Sequence, residues 1–132
     1  MPIAPISNPS GLPDFQVNIL SVGAIDPFTG NFIPKGTLRS NERAAVRFVV
    51  KNIGDKASGP WTYNAELPTY PRYIYKSRTQ SSLMPGAQAT VTVAFDKLVA
   101  GQGTVIINVD PYNMIAERLE NNNRDARYYS VY

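Results

Sequence analysis

The sequence predicts an all-β domain, an antiparallel sandwich of about seven strands. Short runs of alternating apolar and polar residues recur along the chain, turn residues separate them, and no convincing long helix is present. The chain has 132 residues, with 11 prolines and 9 glycines, which favours short strands joined by many turns. Its length suits one domain with its own hydrophobic core.

The strands are predicted segment by segment. Residues 1–13 are rich in proline and are predicted to be a linker, so the domain spans residues 14–132. The first strand runs to about Val22, and the segment IDPFTGNFIPKG after it is predicted to be a loose hairpin or decorated loop. Later strands are predicted in RAAVRFVVKNIG, GPWTYNAELP, RYIYKSRT, AQATVTVAF, GTVIINVD and ARYYSVY.

The predicted core consists of the apolar residues that recur with period two in three of these strands. A slip of one residue would turn such a row to the opposite face of its sheet, so each row is expected to be buried as a unit. The core residues are Val46, Phe48, Val50, Val91, Val93, Phe95, Val105, Ile107 and Val109.

The composition argues against several classes of function. The chain contains no cysteine and no histidine, so thiolate zinc sites, histidine ligands and hydrolytic triads with histidine are absent. The net charge of +3 comes from basic residues spread along the chain, which is weak support for nucleic-acid binding. No apolar run is long enough to cross a bilayer. We therefore predict no catalytic residues, no cofactor, no nucleic-acid partner and no membrane insertion.

The stretch VDPYNMIAERLENNN, residues 109–123, allows several interpretations. Asp110, Asn113, Glu117, Glu120 and Asp125 could supply oxygen ligands to calcium, but no EF-hand loop pattern is present. Glu117 and Glu120 could also be paired catalytic carboxylates. A short helix is a further alternative, although the asparagines favour a compound turn.

Several motifs resemble the CARDB domain, the cell-adhesion-related domain of bacterial and archaeal surface proteins. They are LPDFQV near the start, VKNIG from Val50 to Gly54, LMPG from Leu83 to Gly86, and VDPYNMIAERLENNN. Leu119 departs from the usual asparagine of the last motif, and the IDPFTGNF insertion lies outside the pattern. The resemblance spans residues 12–132 and implies an immunoglobulin-like sandwich of seven strands, usually one module of a larger secreted or surface protein.

This resemblance favours an architectural role for residues 109–123, with no bound metal. The predicted structural corner uses Asp110, Asn113, Ile115, Glu117 and Asn122. In it Ile115 covers the open end of the core, and the polar side chains bond to backbone groups of the turns.

A second candidate site lies in ELPTYPRYIYKSR. Tyr70, Arg72, Tyr73 and Tyr75 are predicted to form a ligand-binding surface, with Tyr73 and Tyr75 on one exposed face and Ile74 in the core. The alternative is that these tyrosines cover a sheet edge and one of them reaches the core.

The predicted function is a non-catalytic adhesion or spacer module of a secreted or cell-surface protein. The alternative is a carbohydrate-binding module that uses Tyr70, Tyr73 and Tyr75. The expected partner is a protein or a carbohydrate at a surface, and the domain is expected to belong to a larger multidomain protein.

Overall fold

The computed structural model describes residues 11–39, 41–67, 73–95, 101–110 and 123–131. Within these ranges every regular element is a strand, and the predicted all-β class is confirmed. The strands are β1 (Phe15–Ile25), β2 (Phe32–Pro34), β3 (Thr37–Leu38), β4 (Ala44–Asn52), β5 (Tyr63–Leu67), β6 (Tyr73–Lys76), β7 (Gln88–Phe95), β8 (Gly101–Val109) and β9 (Arg124–Val131). The short strands β2 and β3 are additions to the seven that the sequence predicts.

Two sheets pack face to face as an immunoglobulin-like sandwich. One sheet has the order β2-β1-β4-β7 and the other has the order β3-β9-β8-β5-β6. The pairs are antiparallel, except for the parallel pair of β3 with β9. The sheet containing β7 therefore ends at one short strand, β2, and one long strand, β7, whereas the other sheet ends at two short strands.

The core lies between the two sheets and follows the predicted period of two. Every residue of the predicted core except Val91 is buried. Val91 is only partly buried against the core, so the prediction was wrong for this residue. It is partly exposed because β7 is the last described strand of its sheet. The Phe48 and Tyr63 rings meet edge to face at 5.2 Å between centroids and join the two sheets. Such pairs add to the stability that burial itself contributes.

A buried asparagine at the end of β4 connects three separate segments. The side-chain oxygen of Asn52 accepts hydrogen bonds from the backbone N–H groups of Asp14 (3.1 Å) and Gly54 (3.0 Å). Its amide nitrogen donates to the carbonyls of Lys56 (2.7 Å) and Leu83 (2.9 Å). These partners belong to the LPDFQV, VKNIG and LMPG motifs or lie just beyond them, so three motifs that are distant in sequence meet at Asn52.

The side of the sandwich where β1 approaches β9 is closed by side chains. The pairing of β1 with β4 shifts between Ile19 and Ser21, and Leu20 between them is exposed. The Ile19 N–H donates to a carboxylate oxygen of Asp125 (2.7 Å), and the Arg127 guanidinium donates to the Ile19 carbonyl (2.5 Å). Both backbone groups of Ile19 are thus satisfied by the opposite sheet.

Candidate functional site

The predicted tyrosine surface differs from its expected orientation on β6. Ile74 is 45% exposed, and Tyr75 packs partly buried against the core with its ring 6.1 Å from that of Tyr63. The prediction that Ile74 faces the core and Tyr75 faces solvent was therefore wrong. The reason is the register on β5, where Tyr75 is opposite the fully buried Ala65, and residues directly opposite each other share a face.

The other residues of that predicted surface are described less fully. The backbone of Tyr73 pairs with Leu67, and its side chain lies outside the described part of the chain. Tyr70 and Arg72 also lie outside the described residues. Burial, and to a smaller extent the nearby Tyr75 phenol, raises the pKa of Tyr63 to about 12. Tyr75 is therefore a core-facing residue of β6, and the ligand-binding roles of Tyr70, Arg72 and Tyr73 stay predictions.

Only the two ends of the predicted structural corner are described. Asp110 is buried with a φ of 49°, and its N–H donates to the Thr62 carbonyl (2.8 Å). Aspartate is one of the few residue types that adopt this left-handed conformation readily. At the other end, the carbonyl of the buried Asn123 accepts a hydrogen bond from the Val109 N–H (2.8 Å). Asn113, Ile115, Glu117, Glu120 and Asn122 lie outside the described residues, so their roles stay predictions.

A braced hairpin loop is the most distinctive surface feature, and we call residues 26–31 the hairpin tip. One carboxylate oxygen of Asp26 accepts hydrogen bonds from the N–H groups of Phe28 (2.8 Å) and Thr29 (3.3 Å). The Asp26 N–H also donates to the Asn31 carbonyl (2.9 Å), and the Asp26 carbonyl accepts a hydrogen bond from the Gly30 N–H (2.8 Å). Gly30 has a φ of 75°, which glycine adopts without strain. The loop is therefore held by its own hydrogen bonds.

The hairpin tip holds Phe28 in solvent, with 96% of its surface exposed. The neighbouring aromatic residue, Phe32, is less exposed. The Arg47 guanidinium lies 4.6 Å from the centre of its ring. Arg47 also donates from Nε to the Thr92 hydroxyl (3.0 Å). The sequence placed Phe28 and Phe32 on either side of a turn, but it gave no signal that one would be covered and the other left exposed.

A charged groove of about 710 Å³ lies next to the hairpin tip, lined by residues that include Asp26, Lys35, Arg39, Glu42 and Arg43. The Lys35 ammonium pairs with the Glu42 carboxylate (2.8 Å), and the other oxygen of that carboxylate accepts from the Arg39 N–H (2.8 Å). These bonds, that of Lys35 foremost, lower the pKa of Glu42. The groove thus carries both signs of charge, with cations in excess.

The described residues offer little that resembles a reaction centre. Among them, no group of three or more acidic, histidine or cysteine side chains is placed to hold a metal ion. The same ranges contain no helix long and apolar enough to cross a bilayer. The distinctive features that remain in this part of the chain are exposed surfaces, foremost the hairpin tip and its groove.

Comparisons with known proteins agree with the fold. No curated protein matches the chain significantly. The CARDB domain of a Pyrococcus furiosus protein, solved in complex with di-metal ions, aligns with a TM-score of 0.71 at 21% identity, covering 98% of this chain and 95% of that one. A domain of a candidate cell surface protein from Methanosarcina acetivorans aligns at 0.59 and 21%, covering 92% and 93%.

A part of a Listeria innocua β-glucosidase is also similar, with a TM-score of 0.52 at 14% identity. The alignment covers 90% of this chain but only 16% of that enzyme, so it shows a shared fold alone. The family model of the CARDB domain matches residues 12–127. The chain therefore belongs to the CARDB family.

Proposed function

We propose that this chain is a non-catalytic adhesion module of a larger secreted or cell-surface protein, and that the hairpin tip makes its contact. Its membership of the CARDB family supports a surface module, as does its similarity to a domain of a candidate cell surface protein from Methanosarcina acetivorans. The observation that carries the proposal is the almost complete exposure of Phe28 on a braced loop.

An exposed phenylalanine on a rigid loop is well suited to anchoring a partner. Burying one aromatic side chain stabilises a complex by about 1.5–3 kcal/mol through the loss of exposed apolar surface. Aromatic residues are frequent among those that dominate binding energies. The Asp26 carboxylate bonds to the Phe28 N–H, so the loop loses little conformational freedom on binding.

The groove beside the hairpin tip indicates the kind of partner. Lys35, Arg39 and Arg43 outnumber the acidic lining residues Asp26 and Glu42, so the field favours a partner with acidic groups. The fitting surface has an apolar pocket for Phe28 and a rim that carries carboxylates. This arrangement of an apolar centre and a polar rim is typical of protein interfaces.

A metal-dependent role is less well supported. The related Pyrococcus furiosus domain was solved with di-metal ions, and the calcium alternative for this chain includes Asp125. One carboxylate oxygen of Asp125 accepts the Ile19 N–H (2.7 Å) and the other accepts the Ala126 N–H (2.9 Å). Each oxygen keeps a lone pair that a cation could use, but the described residues place no cluster of acidic side chains around Asp125 that could hold a metal ion.

The test uses fluorescent beads that carry many copies of the domain, applied to intact cells of the producing organism. We expect the beads to attach, and we expect Phe28→Ser to reduce attachment at least about tenfold, the loss of one anchor. Leu20→Ser is the matched control, because Leu20 is a half-exposed apolar residue away from the hairpin tip. Equal attachment by wild type and Phe28→Ser would refute the role of the tip.

A glycan array distinguishes the carbohydrate-binding alternative. A sugar-specific signal that survives Phe28→Ser and is lost on Tyr73→Ala would assign binding to the tyrosines of β6. The core-facing position of Tyr75 removes one of the three rings that such a sugar platform would use. We therefore expect no glycan signal that depends on Tyr73.

A further inference from the structure

Strand edges are sites of potential pairing, and nearly every edge of this sandwich is short or capped. Among the described strands, β2 has three residues and ends at Pro34, β3 has two residues, and β6 has four. The open side of β1 is capped where Asp125 and Arg127 bond to the backbone of Ile19. These are usual ways in which proteins prevent unwanted strand pairing.

Within the described part of the chain, strand β7 has none of these protections. It has eight residues, QATVTVAF, without charge or proline. Its pairing with β4 continues without a register shift from Gln88 to Phe95. It is the terminal strand of its sheet, and no described strand pairs with its outer side. A long, uncharged and regular edge of this kind is a template for another strand.

The hydrogen-bond pattern identifies the backbone groups on the open side. The Asn52 N–H donates to the Ala87 carbonyl (3.0 Å), so the backbone of Ala87 faces β4. Because N–H and C=O groups alternate in direction along an antiparallel strand, the backbones of Gln88, Thr90, Thr92 and Ala94 face outward. The side chains of Thr90 and Thr92 are also exposed.

We propose that β7 pairs antiparallel with β7 of a second copy of this chain, with a twofold axis at Val91. In this register Val91 is opposite its own counterpart, and Thr90 is opposite Thr92 in both directions. Cross-strand pairs of threonine and of apolar residues stabilise sheets. The outward groups then form about eight backbone hydrogen bonds, two for each hydrogen-bonded pair. This association is independent of the contact proposed for the hairpin tip.

A second copy of β7 fits this edge better than an arbitrary peptide does, because the strand is complementary to itself. Val91 is the one predicted core residue that the structure leaves partly exposed, and a facing Val91 would complete its cover. Of the two β4 cations that lie beside β7, Arg47 is nearer to the proposed axis, because it is opposite Thr92 whereas Lys51 is opposite Gln88. The two copies of Arg47 would lie roughly 15 Å apart across the joined sheets, beyond the Debye length of about 8 Å at physiological salt. Their repulsion would therefore be weak.

Cross-linking tests the register directly, because the chain has no cysteine of its own. The interface is small and belongs to a weak class, so the measurement uses about 1 mM protein, where a dissociation constant of that order is detectable. Val91→Cys should form a disulfide-linked dimer at least about tenfold faster than Ala89→Cys. In the proposed register the two copies of residue 89 lie about 14 Å apart, well beyond the reach of a disulfide, about 7 Å between Cα atoms.

Charge reversal provides a second test, by analytical ultracentrifugation. Thr90→Glu/Thr92→Glu and Thr90→Lys/Thr92→Lys place like charges opposite each other, so each variant should be monomeric alone. An equal mixture should form a heterodimer, which also demonstrates that both variants fold. Gln16→Glu/Asn18→Glu is the matched control, because both residues are exposed on β1 and their backbones pair with β4.

The results separate the proposal from its competitors. Selective cross-linking through Val91→Cys, together with heterodimer formation, supports pairing through β7. A chain that is monomeric at about 1 mM would overturn the proposal. So would a dimer that persists in Thr90→Glu/Thr92→Glu, or one that cross-links equally through Val91→Cys and Ala89→Cys. Bead attachment through the hairpin tip is measured separately and does not depend on these results.

Discussion

Replacing Asn52 by alanine tests how the sandwich is held together at one end. Its side chain is fully buried and makes four hydrogen bonds to backbone groups. Asn52→Ala removes all four and leaves the Asp14 N–H unsatisfied in a buried place, whereas the Leu83 carbonyl still accepts a hydrogen bond from the Ser58 N–H (2.9 Å). The other two partners, the Gly54 N–H and the Lys56 carbonyl, are only partly buried, so water can replace part of what they lose.

The expected loss follows from this division. The buried Asp14 N–H, left without a partner, costs about 1–3 kcal/mol, and the other three groups cost less. We therefore expect Asn52→Ala to lower the free energy of unfolding by about 2–4 kcal/mol, at the upper end of the usual range for a single substitution. Collapse of the neighbouring loops is restricted, because the backbone at Gly54 is already so close to Leu12 that a Cβ there would lie 2.4 Å from its carbonyl oxygen.

Urea unfolding followed by tryptophan fluorescence is a suitable assay, because Trp61 is buried in the core. Asn18→Ala is the control, since Asn18 is exposed on β1 and should change stability by less than about 0.5 kcal/mol. Asn52→Asp retains an acceptor for Asp14 and Gly54 but turns a second oxygen toward two carbonyls, so we expect it to be as destabilising as alanine at neutral pH. A loss below about 1 kcal/mol for Asn52→Ala would refute the idea that this residue joins the three motifs.

Four further predictions are testable on the same protein. Phe48→Ala should lower stability by about 3–5 kcal/mol in urea melts, because it leaves a cavity between the sheets; a smaller loss would mean that the core refills. The pKa of Tyr63 is raised from 10.0 to about 12, so the neutral phenol stabilises the fold fully below pH 10. The free energy of unfolding should fall by about 2 kcal/mol as the pH rises toward 12, and Tyr63→Phe should abolish this decline. Neither chelator nor millimolar calcium should change the melting temperature, whereas a rise of several degrees with calcium would reveal a site that binds the folded state. Ile115→Ala should cost about 2–5 kcal/mol if Ile115 covers the core, while Glu120→Ala should stay within about 0.5 kcal/mol; equal and negligible losses would indicate a solvated loop.

The sequence predicts the core strands well because their two faces differ in polarity. In β4, Val46, Phe48 and Val50 alternate with residues that tolerate partial exposure, such as Arg47 and Lys51, so only one orientation buries the apolar row. Val91 belongs to an equally clear row, yet it is partly exposed, because among the described strands β7 has a neighbour on one side only. The period of a strand predicts its inward face, but the order of strands in the sheet decides how completely that face is covered.

Strand β6 shows where this reasoning fails. Its tripeptide Tyr73-Ile74-Tyr75 has no polar residue to distinguish the two faces, so the pattern could not decide which side chain points inward. The decision comes from the pairing of Tyr75 with Ala65 on β5. Tyr75 and Ala65 are ten positions apart in the sequence. The residues of β6 alone therefore do not determine which residue of β5 each of them faces. Orientation in β6 is thus a property of the pair of strands.

The candidate contact surfaces could not be predicted from the sequence, for a different reason. The motifs that identify the family meet at Asn52 or lead into the ends of the predicted corner, so they specify how the sandwich closes. Phe28 lies in a segment outside those motifs, and its exposure depends on a side-chain bond from Asp26 that no apolar pattern reveals. The open edge of β7 depends in turn on the order in which the described strands join its sheet. Family motifs therefore predict the fold of this domain, and what it binds must be determined on the surfaces that those motifs leave unspecified.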